Sequence, residues 1–176
     1  GVIGEIEVSE DIMESSDDFI LAPYAKLREV HLKATAIGDD LSVLKKRISD
    51  VEAIIYKRLG KYIYSDNDMD IIDVIIDYLK YSSSTLATAE SCTGGLIGSS
   101  IVEKPGVSSV YTHGFITYSN NSKIDLLGVD EDIINTYGAV SEQCAEAMIE
   151  GLLNVSQADY GICVTGIAGP DGGSEE

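Results

Sequence analysis

The stretch TAESCTGG at residues 88–95 sets a serine and a cysteine directly ahead of paired glycines. Thr85 to Ala89 mixes β-branched and small apolar residues, as a short buried strand does, and Leu96 to Val102 reads as the first turns of a helix. Ser91, Cys92 and Thr93 therefore fall at a strand-to-helix junction, where backbone N–H groups lack helical partners. Gly94 and Gly95 carry no side chain, so another group can approach that backbone closely. A hydroxyl here can attack a carbonyl while backbone donors receive the oxyanion. The same residues also suit a helix cap followed by a tight packing contact. Cys92 is a second candidate nucleophile, although a cysteine in such a place more often serves as a small buried hydrophobe.

A serine nucleophile needs a base, and the two histidines are poorly placed. His31 falls in the N-terminal part of the chain, and His113 lies inside an apolar run, where a neutral, packed ring is expected. Lysine replaces histidine when burial lowers its pKa toward neutrality. Lys123 is the natural candidate, at the end of TYSNNSK (117–123), where a polar turn leaves a strand. Surface charge is the commoner fate of a lysine, and the acidic surroundings act to raise its pKa. Glu90 can orient the lysine or a substrate amide, or pair with a backbone N–H. Tyr118 can hydrogen-bond the lysine, stack on an aromatic ring, or sit in the core or at its rim. A second glycine-rich loop, TGIAGPDGGSEE (165–176), holds Thr165, Gly166, Gly169 and Gly173 beyond another strand end. It matches neither G-x-G-x-x-G nor a P-loop.

Composition narrows the classes. The chain has 176 residues and a formal net charge of −18. Residues 1–67 carry nine Lys/Arg against thirteen Asp/Glu, and residues 68–176 carry three against seventeen. Such acidity opposes binding to a phosphate backbone, so no nucleic-acid partner is expected. Three widely spaced cysteines without C-x-x-C suggest reduced thiols and a cytoplasmic location. Neither histidine has ligand-like neighbours, so no metal is expected. No apolar run approaches 18 residues, so no membrane span is expected.

The elements that must position these residues follow from periodicity. Gly1 to Val8 reads as a strand and residues 9–18 as an acidic helix or loop. Phe19–Lys26 and Arg28–Ala36 read as strands, the second turning Val30, Leu32 and Ala34 inward. Residues 40–59 form an amphipathic helix with Leu44, Ile48, Val51, Ile55 and Leu59 on one face, capped by Asp39 or Asp40 and closed by Gly60. Lys61–Tyr64 reads as a further strand, and SDND (65–68) as a domain boundary. A helix over 69–79, a strand entering TAESCTGG, and a helix to residue 103 follow; Lys104-Pro105-Gly106 breaks that helix. Val110–Tyr118 reads as a strand, residues 130–138 as a short helix, Ser141–Val155 as a capped helix and Tyr160–Val164 as a buried strand. Alternating strands and helices predict a three-layer α/β/α domain over 68–176, preceded by a small α/β domain over 1–67.

Taken together, TAESCTGG, TYSNNSK, GAVSE (138–142) and TGIAGPDGGSEE resemble the signature of the competence/damage-inducible CinA family, over roughly residues 70–176. APYAKLREVHLKATA (22–36) and RLGKYIYS (58–65) resemble the middle segment of its longer members. The resemblance implies a C-terminal nicotinamide-nucleotide amidase: a serine hydrolase with a Ser/Lys dyad, matched here by Ser91 and Lys123. It implies nicotinamide mononucleotide as substrate, no metal or organic cofactor, and a homodimer. Thr93, Gly94 and Gly95 are then expected as oxyanion or phosphate donors. Glu90, Tyr118, Thr165, Gly166 and Gly169 are expected around the substrate. The family pattern continues past Glu176, so the sequence reads as a piece of a longer chain. An alternative of a different class is a non-catalytic nucleotide- or partner-binding module. An ADP-ribose pyrophosphatase activity would belong to a further N-terminal domain, not to these residues.

Overall fold

A computed structural model describes residues 18–26 and 29–169. The elements expected over residues 1–18, and Gly173 in the second glycine-rich loop, lie outside the described residues or, for Asp18, in a turn at their edge. Two compact units divide the chain, Gly1–Asp66 and Asn67–Glu176.

In the first unit, β1 (Phe19–Ala25) and β2 (Val30–Ala36) pair antiparallel, with Leu21 opposite Ala34. Helix α1 (Leu41–Leu59) starts at Asp40, whose carboxylate accepts from the N–H groups of Ser42 and Val43. Its Val51 and Ile55 pack on Phe19 and Leu21, together with Leu32, Ala34 and Ala36. Val30 and Ile48, expected on that inner side, are exposed. The strand expected over Lys61–Tyr64 is instead a short 3-10 helix, Gly60–Tyr62. Gly60 caps α1 as expected, but with right-handed helical angles, so the chain runs on in a tighter turn.

The second unit is built on a parallel sheet of three strands. β3 (Leu86–Glu90) lies between β4 (Tyr111–Ile116) and β5 (Tyr160–Val164). All five residues of β3 are buried. Their period of two distributes side chains to opposite faces. Leu86 meets Ile76 and Leu79 of α2 (Ile71–Ser82) and Ile101 of α3 (Leu96–Val102). Ala87 and Ala89 meet the other layer: α4 (Asn120–Leu127), α5 (Glu131–Tyr137) and α6 (Glu142–Ser156), through Leu127, Ile134, Cys144, Met148 and Leu152. The sheet is thus flanked by helices on both faces. Alanines on the α6 side let that helix lie close, and Gly151 in α6 sits where a Cβ would be 1.9 Å from the Leu127 carbonyl oxygen.

Two expectations fail here. Residues 117–123 are not a turn throughout, because α4 begins at Asn120. Ser119 accepts from the Ser122 N–H while Ser122 Oγ accepts from the Ser119 N–H, a reciprocal cap that starts the helix. His113 is exposed on β4, which borders β3 alone among the described strands. Its ring stacks on Phe115 with centroids 6.0 Å apart, and it is not packed in the core.

Candidate active site

Ser91 follows the carboxyl end of β3, and its own N–H donates to the Val164 carbonyl of β5 at 2.9 Å. On the other flank the Thr117 N–H donates to the Glu90 carbonyl at 2.8 Å. The ends of three parallel strands are therefore clamped together around the serine. Strand alternation sends Glu90 toward α3 and Ser91 toward α4.

Lys123 meets Ser91 there. It sits in the first turn of α4, is 1% exposed, and points Nζ at Ser91 Oγ, 3.1 Å away. Nζ also donates to the Thr117 carbonyl at 2.9 Å. No carboxylate pairs with it among the described residues. Burial lowers its pKa below the ordinary lysine value, against a smaller upward pull from the thiols of Cys144 and Cys92. The expected acidic pull on this lysine is not what opposes burial: the opposing groups are thiols. Ser91 is 6% exposed, and its Oγ lies 3.5 Å from the Tyr118 carbonyl. A neutral amine with one N–H on Thr117 has its lone pair free for the Ser91 hydroxyl proton.

The remaining expected residues divide. Glu90 is 1% exposed and accepts three backbone N–H groups, from Gly95 at 3.2 Å, Ile97 at 3.0 Å and Gly98 at 2.8 Å. Burial pushes its carboxyl up, but the donors of Gly98, Ile97 and Gly95 outweigh it and leave the pKa below the usual value. The Thr93 hydroxyl helps hold that pKa down, although its Oγ1 makes no well-aligned hydrogen bond. Glu90 thus faces α3 and does not orient Lys123. The Gly94 N–H is taken by the Ser91 carbonyl at 3.0 Å, and the Gly95 N–H by Glu90. Neither glycine is a free oxyanion donor, and of the expected trio only Thr93 keeps an N–H uncommitted among the described residues. Cys92, weighed in the sequence only as a second nucleophile or a packed thiol, likewise has an N–H without an acceptor among the described residues. The general pattern in which the residue after a nucleophile supplies an oxyanion donor points to it.

Tyr118 is 70% exposed and offers Ser91 its carbonyl; Lys123 bonds Ser91 and Thr117, not the Tyr118 hydroxyl. Thr165 Oγ1 donates to the Ala139 carbonyl at 2.6 Å, which ties the second glycine-rich loop to the GAVSE segment. Gly166 lies against Cys92, where a Cβ would stand 3.0 Å from Sγ. Gly169 has a left-handed φ of 71° with open space around it. Among the described residues no group of three His, Cys, Asp or Glu is arranged to hold a metal ion. No described helix is long and apolar enough to cross a membrane.

Residues 68–176 match the family model described as the CinA C-terminal domain, and residues 3–65 match the damage-inducible protein CinA KH domain. The chain belongs to the CinA family. It is 45% identical over 177 residues to a putative competence-damage inducible protein of Clostridium novyi, covering 99% of this chain and 43% of that protein. A CinA-like protein of Kosmotoga olearia is 40% identical over 171 residues, covering 97% of this chain and 42% of the relative. The chain thus spans less than half the length of these curated CinA relatives. Among solved structures, the competence/damage inducible protein CihA from Agrobacterium tumefaciens superposes with a TM-score of 0.57 at 46% identity, covering 59% of this chain and 63% of that one. The competence damage-inducible protein A (ComA) from Klebsiella pneumoniae gives 0.57 at 34% identity, covering 59% and 65%. The small N-terminal unit is KH-like, and the second is the helix-flanked parallel sheet of the CinA superfamily.

Proposed function

We propose that the second unit of this CinA-family chain is a serine amidohydrolase acting on nicotinamide mononucleotide. The observation that carries this reading is the 3.1 Å approach of a buried lysine, with a lowered pKa, to a buried serine hydroxyl. Ser91 Oγ attacks the carboxamide carbon as its proton passes to Lys123 Nζ, and the carbonyl π pair moves to oxygen. The tetrahedral intermediate collapses, the C–N bond breaks, and ammonia leaves with the proton from Lys123. Water then adds to the acyl-serine, giving its proton to Lys123. As that intermediate collapses, the ester C–O bond breaks and Ser91 Oγ recovers the proton, releasing nicotinate mononucleotide. Every proton is accounted for by one lysine, so the reaction draws on no cofactor.

Family membership supports hydrolysis of this kind, and the geometry supports lysine as the base, since His113, the one histidine of residues 68–176, is exposed on β4 and does not bond Ser91. The substrate phosphate is not held by the other two lysines of the unit. Lys80 lies near the end of α2 and Lys104 beyond the end of α3, at the strand-start side of the sheet, and Lys104 is paired with Asp73 at 2.8 Å. The test is ammonia release from nicotinamide mononucleotide by the whole protein, with Ser91→Ala alongside. Release that vanishes in the variant is expected. A folded wild-type protein that releases none would overturn the amidase and leave a nucleotide-binding module.

A further inference from the structure

Glu90 is a buried carboxylate with no cation beside it among the described residues. Such a group is tolerated only when several donors replace its lost hydration. The donors come from the segment that follows the nucleophile: Gly95, Ile97 and Gly98. In the same segment the Gly94 N–H goes to the Ser91 carbonyl and the Leu96 N–H to the Thr93 carbonyl at 3.1 Å. Every N–H from Gly94 to Gly98 is therefore satisfied inside the turn. Among the described residues those of Cys92 and Thr93 are left over, and they follow Ser91 directly.

We infer that Glu90 is a positioning residue: its carboxylate gathers the Gly95–Gly98 donors and so holds the turn in which the Cys92 and Thr93 N–H groups face the oxyanion formed at Ser91. This rests on the reading of Ser91 as the acyl-accepting nucleophile. It differs from a direct role, because strand alternation puts Glu90 on the face of β3 away from Lys123. The turn is also closely packed behind Glu90. A Cβ on Gly98 would lie 2.7 Å from the Tyr111 hydroxyl and 3.5 Å from Glu90 Oε1, so the α3 backbone approaches the carboxylate because residue 98 lacks a side chain. Replacing the carboxylate with an amide sets an NH2 group against a backbone N–H and loosens the turn without emptying the space.

The experiment compares Glu90→Gln and Glu90→Asp with wild type in the whole protein. It reads kcat and KM for nicotinamide mononucleotide, the pH profile of kcat, and the affinity for pyridine-3-boronic acid, whose serine adduct needs the same oxyanion donors. For Glu90→Gln the expected result is a kcat lower by about tenfold to a hundredfold, with KM within about twofold. Boronate affinity should fall by a similar factor, and the acid limb of the pH profile should stay in place because Lys123 is untouched. Glu90→Asp keeps the charge but is one methylene short; it is expected between the two, and it carries the test if Glu90→Gln does not fold. Folded variants with wild-type kcat and boronate affinity would overturn the inference, as would a shift of the acid limb, which would mean that Glu90 acts on Lys123. If the wild type binds the boronate but releases no ammonia, the amidase reading fails while the boronate comparison still decides the role of Glu90.

Discussion

The Nζ of Lys123 reaches back six residues to the carbonyl of Thr117, 2.9 Å away, so the first turn of α4 folds over the strand end that precedes it. That bond fixes the height of the amine above the sheet, and the reciprocal Ser119–Ser122 cap fixes where the helix begins. Together they aim a long, flexible side chain at Ser91 with little freedom left. Four expected outcomes follow from this arrangement and its supports.

Lys123→Met fills the same space with a neutral side chain. Activity should fall by at least about a hundredfold, the usual scale for losing a general base. The folded-state pKa of Lys123 lies below its ordinary value of 10.5. Its contribution to stability is therefore full above the unfolded pKa and is lost as pH falls through the folded one. The Lys123→Met protein should show equal or higher thermal stability than wild type near neutral pH. It should also lack this alkaline rise in stability. Wild-type kcat should decline on the acid side as the lysine protonates. Thermal melts and kcat across pH 6–10.5, the upper bound being the ordinary lysine value, check both.

Thr117 is fully buried, and its Oγ1 has no hydrogen-bond partner among the described residues, while its carbonyl holds Lys123. Thr117→Val removes the orphaned hydroxyl and keeps the carbonyl. Stability should be unchanged or higher by about 1 kcal/mol, and activity should be retained. Urea denaturation beside a rate assay reads this. A loss of several kcal/mol would mean that the hydroxyl is bonded after all.

Gly166→Ala brings a Cβ to about 3.0 Å from Cys92 Sγ, next to the serine. Small displacements of a nucleophile are costly, and kcat/KM should fall about tenfold. Cys92→Ala alone should leave activity within about threefold, since the proposed nucleophile is Ser91 and not the thiol. Combining the two frees the space and should restore most of the loss, which a double-mutant cycle would register as coupling of about 1 kcal/mol.

Gly151→Ala would put a Cβ 1.9 Å from the Leu127 carbonyl oxygen and 2.8 Å from its carbon. Backbone cannot swing aside as a side chain does, so α4 and α6 must separate. Destabilisation of at least about 2 kcal/mol is expected by chemical denaturation. Activity should fall too, because α4 carries Lys123.

The residues alone left the candidate pair open, since Ser91 also suits a helix cap and a lysine is more often a surface charge; the family resemblance singled out Ser91 and Lys123. The α4 helix was harder to read: serine and asparagine in SNNS look like a turn, and only Ser122 three places after Ser119, with Gly128 closing the run, marks a helix. His113 was misjudged because an apolar run does not say whether its strand is central or at an edge. The Lys61–Tyr64 segment failed for a related reason, since three or four residues of β-prone composition form a strand only if another strand accepts them.

By itself the sequence determined the strand-to-helix junction at Ser91 and the order of the strands and helices of the second unit, α4 excepted. These are local properties, set by periodicity, caps and glycines within a few residues. Tertiary structure alone decided that β3 lies between β4 and β5, and so brought Lys123 to Ser91 across 32 positions of chain. It also decided which N–H groups around Ser91 are spent and which are free, and whether the lysine is buried enough to lose its proton. Burial and donor accounting depend on everything packed around a group, and that is settled only when the layers close.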